Sequence, residues 1–453
     1  MNFRSDTLVC RRIVTDSRTV QPGDLFWAIK GARHDGHHYL DEAVRRGAVA
    51  CVVNLQQVLQ PAVPMIAVAD TQQALADLAG WHRRQQEALV IGITGSVGKT
   101  TTRHLVHTVL SQRFSGVQSP QNFNNHLGVP LSLLAIEPEH EFAVLELGAS
   151  TAGEIRSLCE VAQPEVGLLT RIAPAHLDEF RDLDTIARTK GELLEILPST
   201  GFAVLNGDDD RVRRLAARAA CPKILVGEQP GNDIVARDVR LENTWLRFRV
   251  GSAHLSVPIP GRHHLISALM AVAVATEIGL TPGEIEEGLV RFQPVSGRCR
   301  PLQIGEWTVI DDTYNASPAS MRAACELLCH WQGRGQKILI AGDMLALGKS
   351  SLQYHEQFGE QVVAAGIDRL LVVGRQAHTS AARALALGMD GGRIGTCRDL
   401  EALTLLLDLW LEPGDIVLIK GSRGMQMEQV ITRMEQLARD RSQSEPVLRR
   451  AVA

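Results

Sequence analysis

The run Gly95-Ser96-Val97-Gly98-Lys99-Thr100 has the residue types and spacing of a phosphate-holding loop. Glycines let backbone N–H groups turn inward around an anion, and the positive end of the helix that follows adds to the attraction. In that frame Lys99 reaches the β- and γ-phosphates of a nucleoside triphosphate and the Thr100 hydroxyl ligates Mg²⁺, with Thr101 next on the same helix start. The usual pattern has glycine where this chain has Ile93, so Gly95 must supply the turn. The competing reading is a glycine-rich corner between strand and helix that binds nothing. Kinases, switches, motors and ligases all use such a loop, so it points to a triphosphate and not to a reaction.

The surrounding pattern is that of an α/β protein. Leu89-Val90-Ile91-Gly92-Ile93 is a continuous apolar run leading into the loop, and a helical pattern follows from Thr100 to Leu110. Strand-like runs recur at 142–146, 166–170 and 202–206, with helical patterns between several of them, which predicts a parallel sheet covered on both faces. Three stretches differ in character: 1–87, a small α/β unit; 88–296, the unit holding the loop; and 297–453, a further α/β alternation. The third has strands expected near 308–311, 337–341, 369–373 and 415–419, and a polar tail, with Pro446, expected to fray from about 440.

Bulk properties narrow the field. A chain of 453 residues is too long for one core, and 45% hydrophobic with 22% charged residues is ordinary globular composition. A formal net charge of −4 and 4% aromatic residues give no broad attraction to nucleic acid and few base-stacking platforms. The apolar stretch Ala268 to Leu280 is too short to span a bilayer and carries Thr276 and Glu277, so a buried helix is expected and membrane insertion is not. The eight cysteines form no Cys-x-x-Cys pair; Cys325 and Cys329 are one helical turn apart and read as small apolar residues. Scattered thiols, with no apolar leader in Met1-Asn2-Phe3-Arg4-Ser5-Asp6, point to a cytoplasmic protein.

Several segments, taken in order, resemble the Mur ligase family of ATP-dependent, amide-forming enzymes of peptidoglycan precursor synthesis. They are the loop with its flanks, including the non-glycine Ile93; Asn122-Phe123-Asn124-Asn125-His126-Leu127-Gly128; Glu146-Leu147-Gly148-Ala149-Ser150 with Gly153-Glu154-Ile155; Asp311-Asp312-Thr313-Tyr314-Asn315-Ala316-Ser317-Pro318; Gly342-Asp343-Met344; and Lys420-Gly421-Ser422-Arg423. Asp16-Ser17-Arg18 and Asp35-Gly36-His37 resemble the family's uridine-binding segments. Within the family the pattern is most similar to the type that adds D-alanyl-D-alanine to UDP-N-acetylmuramoyl-tripeptide. The sister type that adds the third peptide residue carries an Asp-Asn-Pro-Arg segment, which this chain lacks.

The resemblance implies three domains: a UDP-sugar unit, a P-loop ATPase and a Rossmann-like third domain. It implies a monomer acting on these two small-molecule substrates with ATP, two Mg²⁺ sites and CO₂ carried as a carbamate on Lys190. By resemblance Glu146 holds Mg²⁺ with Thr100, and His176 and carbamylated Lys190 serve the second metal. Without it, Glu146 is a strand-end acid, His176 a structural histidine and Lys190 a helix-surface lysine. Arg298 is expected at the ATP phosphates and Asp312 on the nucleotide side, both engaging when the third domain closes. Ser17, Arg18, Asp35, Gly36, His37, Asn124 and Asn125 are the UDP-substrate candidates. Asn315 and Ser317 are candidates at the reaction centre, and Lys420 and Arg423 for the dipeptide carboxylate. The chain departs from the family at His264, an expected adenine contact where asparagine is usual, at Ser267 and at Arg171. An imidazole lacks the paired donor and acceptor of an amide. A paralogue joining another amino acid or peptide, or a non-catalytic nucleotide binder, are the alternatives.

Overall fold

In a computed structural model of the chain, residues 9–31, 34–56, 62–174, 177–180 and 182–451 are described. Three sheets follow one another along the sequence. The first has four parallel strands in sequential order, Ile13–Val14, Leu25–Trp27, Ala50–Asn54 and Met65–Val68. The helix Thr71–Arg83 closes it; Asp70 caps that helix by accepting from Gln72 and Gln73 N–H, and Trp27 Nε1 donates to Thr71 O at 2.8 Å.

The second sheet has nine strands, and Leu89–Thr94 lies between Phe142–Glu146 and Val166–Leu169, parallel to both. Alternation along Leu89–Thr94 sends Ile91 and Ile93 into one core, with the helices Lys99–Leu110 and Leu265–Ile278. Val90 goes to the opposite core, with the helices Glu154–Ala162 and Leu183–Ile196. A strand buried on both faces must be apolar at every position, which is why no alternation is visible in its sequence. Leu265–Ile278 has no polar face because it packs under the sheet and other helices, so it is a core helix. Among the described residues no helix is long and apolar enough to cross a membrane.

The expectation of a wholly parallel central sheet needs extending. Beyond Phe202–Asn206 lie Lys223–Gly227 and Ile234–Glu242, and the edge is an antiparallel meander through Trp245–Val250 and Ala253–Val257. These strands carry Arg237, Arg240, Arg247 and Arg249 on a solvated face, so they lack the apolar runs by which buried strands are recognised.

The third sheet runs Arg300–Ile304, Trp307–Asp312, Ile416–Lys420, Lys337–Gly342, Arg369–Val373, Ile394–Cys397, with only the first strand antiparallel to its neighbour. The start of the tail beyond 440 continues the helix Glu428–Ala451. Arg441 anchors it: the guanidinium donates to Leu411 O at 3.0 Å and Asp408 O at 2.6 Å and lies over the Trp307 ring. The carboxyl ends of the second and third sheets face one cavity, where open α/β sheets bind ligands.

Candidate active site between the second and third sheets

The loop leaves the sheet one residue after Thr94. Gly95 has φ +146°, and a Cβ there would stand 2.0 Å from Thr170 Oγ1, so the position admits only glycine. Ile93 is still inside the strand, opposite Glu146 and Leu168, and fully buried. Position 93, where the usual pattern has glycine, lies within the sheet. The exit of the neighbouring strand braces the loop. Thr170 Oγ1 donates to Val97 O at 2.7 Å, Ser96 N to Arg171 O at 2.8 Å, and Ala173 N to Ser96 Oγ at 3.0 Å. Gly98, at φ +89°, turns the chain into the helix Lys99–Leu110, and Lys99 Nζ donates to Gly95 O at 2.9 Å.

Glu146 ends its strand beside this turn and is 3% exposed. Its carboxylate accepts from Thr100 Oγ1 at 2.9 Å and Asn124 Nδ2 at 3.0 Å, with Arg103 Nη1 3.7 Å away. The hydroxyl and carboxylate oxygens converging here are the donor types that suit Mg²⁺. Lys190 projects from the helix Leu183–Ile196 and is buried, with Nζ donating to Ala149 O at 3.4 Å. Burial, with Lys99 adding like-charge repulsion, pulls its pKa down to about 7. Desolvation also lowers Lys99, against the pull of Glu146. Two cationic groups held partly against their charge make a site matched to anions.

The third domain supplies the other wall. Arg298 Nη2 comes to 3.5 Å from Thr100 Oγ1, its Cζ lies 4.0 Å from the Tyr314 ring centroid, and its buried Nε has no partner among the described residues. Strand alternation splits the aspartate pair. Asp311 accepts from Gly297 N at 2.7 Å and from Thr313 Oγ1 at 2.6 Å, as a structural anchor. Asp312 faces the cavity and pairs with Lys420 Nζ at 2.7 Å. Lys420 is 2% exposed and also donates to Asn315 O at 2.9 Å, so its charge is committed within the protein. Asp343 is turned away: it accepts from Gln376 and Ala377 N–H and fixes the helix Ala377–Ala386.

The cavity has a volume of about 1040 Å³, at the upper end for one small ligand. The loop from Gly95 to Thr101, Asn124, Asn125, Glu146, Lys190, His264, Arg298, Asp312, Asn315, Ser317, Lys420 and Arg423 all line it. Asn125 Oδ1 also accepts from Leu127 and Gly128 N–H where the helix Gly128–Leu133 begins, and Ser317 caps Pro318–His330. Arg423 is exposed and pairs with Glu428 at 2.7 Å. His264 is buried with Nε2 unpartnered among the described residues, and burial holds it well below the usual histidine range. His176 lies outside the described residues.

Ser17, Arg18, Asp35, Gly36 and His37 are in the first sheet's unit and do not line this cavity. Ser17 Oγ donates to Glu42 at 2.8 Å and Arg18 pairs with Asp16 at 2.7 Å. His37 Nε2 accepts from Asn54 N at 3.0 Å, which puts the proton on Nδ1, 2.6 Å from Asp35. Sequence reasoning missed Arg103, Thr170, His263 and Cys299. A signal existed only for Arg103, four residues after Lys99 and so on the same helix face.

Residues 10–83, 93–275 and 291–423 match, in turn, the Mur ligase family catalytic domain, the Mur ligase middle domain and the Mur ligase glutamate ligase domain. The UDP-N-acetylmuramoyl-tripeptide–D-alanyl-D-alanine ligase of Escherichia coli is 35% identical, over 94% of this chain and 93% of its own. The Bacillus subtilis ligase of the same name is 32% identical, over 95% and 94%. Among solved structures, MurF from Acinetobacter baumannii superimposes with a TM-score of 0.85 at 33% identity, covering 94% of this chain and 93% of that one. MurF from Thermotoga maritima, in complex with ADP, gives 0.83 at 29%, covering 97% and 100%. A phosphate loop, a buried lysine and an arginine of the third domain meeting in one cavity, in a chain matched along nearly its whole length, place this protein in the Mur ligase family.

Proposed function

We propose that the chain is an ATP-dependent peptide ligase that adds D-alanyl-D-alanine to UDP-N-acetylmuramoyl-tripeptide in the cytoplasm. The observation that carries this reading is the full-length likeness to ligases of that name, joined to a cavity whose cations face one another across two domains.

The tripeptide carboxylate attacks the γ-phosphorus of ATP; the bond to the β,γ-bridging oxygen breaks and ADP leaves. The dipeptide amine then attacks the acyl carbon of the acyl phosphate, and the tetrahedral intermediate collapses to the amide as phosphate departs. Both partners of the first step are anions, so the site must offset their repulsion. Lys99 and the N–H groups of 95–100 hold the phosphates, and Arg298 meets them from the third domain. Thr100 and Glu146 would hold one Mg²⁺, and His176 with Lys190 as its carbamate a second; Mg²⁺ would supply positive charge at the phosphates. Only a neutral amine takes up CO₂, and a pKa near 7 leaves Lys190 substantially neutral at physiological pH.

Asp312, held by Lys420, serves the nucleotide side, and Asn315 and Ser317 line the reaction centre. Lys420 is occupied by Asp312, so the exposed Arg423 is the better placed for the dipeptide carboxylate. Asn124, bound to Glu146, and Asn125 contribute from the central domain to the UDP substrate's peptide end. Ser17, Arg18, Asp35, Gly36 and His37 contribute from the first domain to its uridine end. Phosphate release that requires both the UDP-tripeptide and D-alanyl-D-alanine is the expected result. ATP turnover indifferent to the dipeptide across a panel of amines would sink the assignment.

A further inference from the structure

Where the central domain hands over to the third, three ligand-type side chains converge. His263 and His264 precede the helix Leu265–Ile278, and Cys299 precedes the strand Arg300–Ile304. Their ligand atoms all lie within 4.8 Å of one another. His263 Nε2 is 3.7 Å from Cys299 Sγ, and the two imidazole centroids are 3.9 Å apart. A tetrahedral Zn²⁺ with nitrogen at about 2.0 Å and sulfur at about 2.3 Å has an N···S edge of roughly 3.5 Å, so the spacing needs little adjustment.

The three groups are held in place. The His263 ring folds over Gly261, where a Cβ would stand 2.5 Å from Cε1. Cys299 has φ 52°, a left-handed conformation that a side-chain-bearing residue rarely adopts, and its free thiol is buried. His264 is also buried, and its Nε2 has no hydrogen-bond partner among the described residues. A buried ring nitrogen without a partner is costly unless something else takes its lone pair. His263 is exposed and lines the cavity, which gives a solute a way in.

We propose that His263, His264 and Cys299 form a binding site for a thiophilic divalent cation of the Zn²⁺ class, set across the joint between the central and third domains. Its nitrogen and sulfur donors differ in kind from the oxygens of Thr100 and Glu146, so the two sites select different ions. As the sulfur–metal bond forms, the thiol proton leaves to solvent through the cavity. The fourth coordination position opens on the cavity. Because the cation ties residues of two domains and occupies His264, it competes with the nucleotide expected at that residue.

Titration of the full-length protein with Co²⁺, a coloured stand-in for Zn²⁺, in buffer containing Mg²⁺ tests this. The expected result is uptake of one equivalent with a thiolate-to-cobalt charge-transfer band, bleached by Zn²⁺ and absent in Cys299→Ser. His263→Gln, at an exposed position that leaves the buried residues untouched, should weaken Co²⁺ binding by at least about tenfold. The absence of a charge-transfer band in the wild-type protein, the same band in Cys299→Ser, or undiminished affinity in His263→Gln would each overturn the proposal.

Discussion

In the first domain Ser17, Arg18, Asp35 and His37 have each found a partner, respectively Glu42, Asp16, His37 and the Asn54 amide. In the cavity between the second and third sheets, Lys190 and Lys99 sit with their charge partly suppressed, and Arg298 Nε and His264 Nε2 have no partner among the described residues. The first domain's polar groups are internally paired and would meet a ligand by exchanging contacts. Those four cavity groups, unlike the paired Glu146, Asp312 and Lys420 beside them, gain when an anion or metal arrives. Unsatisfied buried charge marks a reaction centre better than the mere presence of polar side chains.

That contrast can be broken by substitution. Lys190→Ala and Lys99→Ala should each lower ligase turnover by about 10³-fold or more, measured as phosphate release with saturating substrates. Lys190→Arg should fail to restore it, because a guanidinium does not give up its proton. Retention of a tenth of wild-type turnover in Lys190→Ala would remove the distinction between the two regions. Asp312→Asn leaves Lys420 as a buried, uncompensated cation and should cost about 3–5 kcal/mol, read as a lower denaturation midpoint. Adding Lys420→Met should recover much of that loss.

The lysine burial also has a pH signature. With a folded pKa near 7 against about 10.4 unfolded, the unfolded chain binds the extra proton between those values. Stability in CO₂-depleted buffer should therefore rise as pH increases from 7 toward 10, by up to about 1.4 kcal/mol per unit from this group. Lys190→Met should abolish that contribution; an unchanged slope would show that Lys190 is not the source. The smallest effect is expected in the first domain. Arg18→Ala breaks an exposed pair and should leave the denaturation midpoint unchanged. At the same time it should raise KM for the UDP-precursor with kcat intact. A fall in kcat instead would move Arg18 into the reacting machinery.

Strands 142–146 and 369–373 were legible because apolar runs are local signals. The antiparallel meander from Ile234 to Val257 was not, because its exposed arginines dilute the apolar pattern and its partners are set by the sheet edge. The anchoring of Arg441 was not legible for a related reason: it is held by carbonyls about 30 residues away in the chain.

Along the chain itself, the glycines of the loop, Lys99, Thr100 and the spaced family motifs were enough to specify a triphosphate site and a ligase lineage. Backbone conformation and residue type at neighbouring positions decide such a loop, and both are written locally. Tertiary structure alone decided which marked residues share a cavity. It sent Asp312 inward and Asp311 and Asp343 into structural roles, committed Lys420 to Asp312, and brought Arg103 to Glu146 and Cys299 to His263. Burial and through-space charge set these outcomes, and both depend on groups that meet only when distant segments pack.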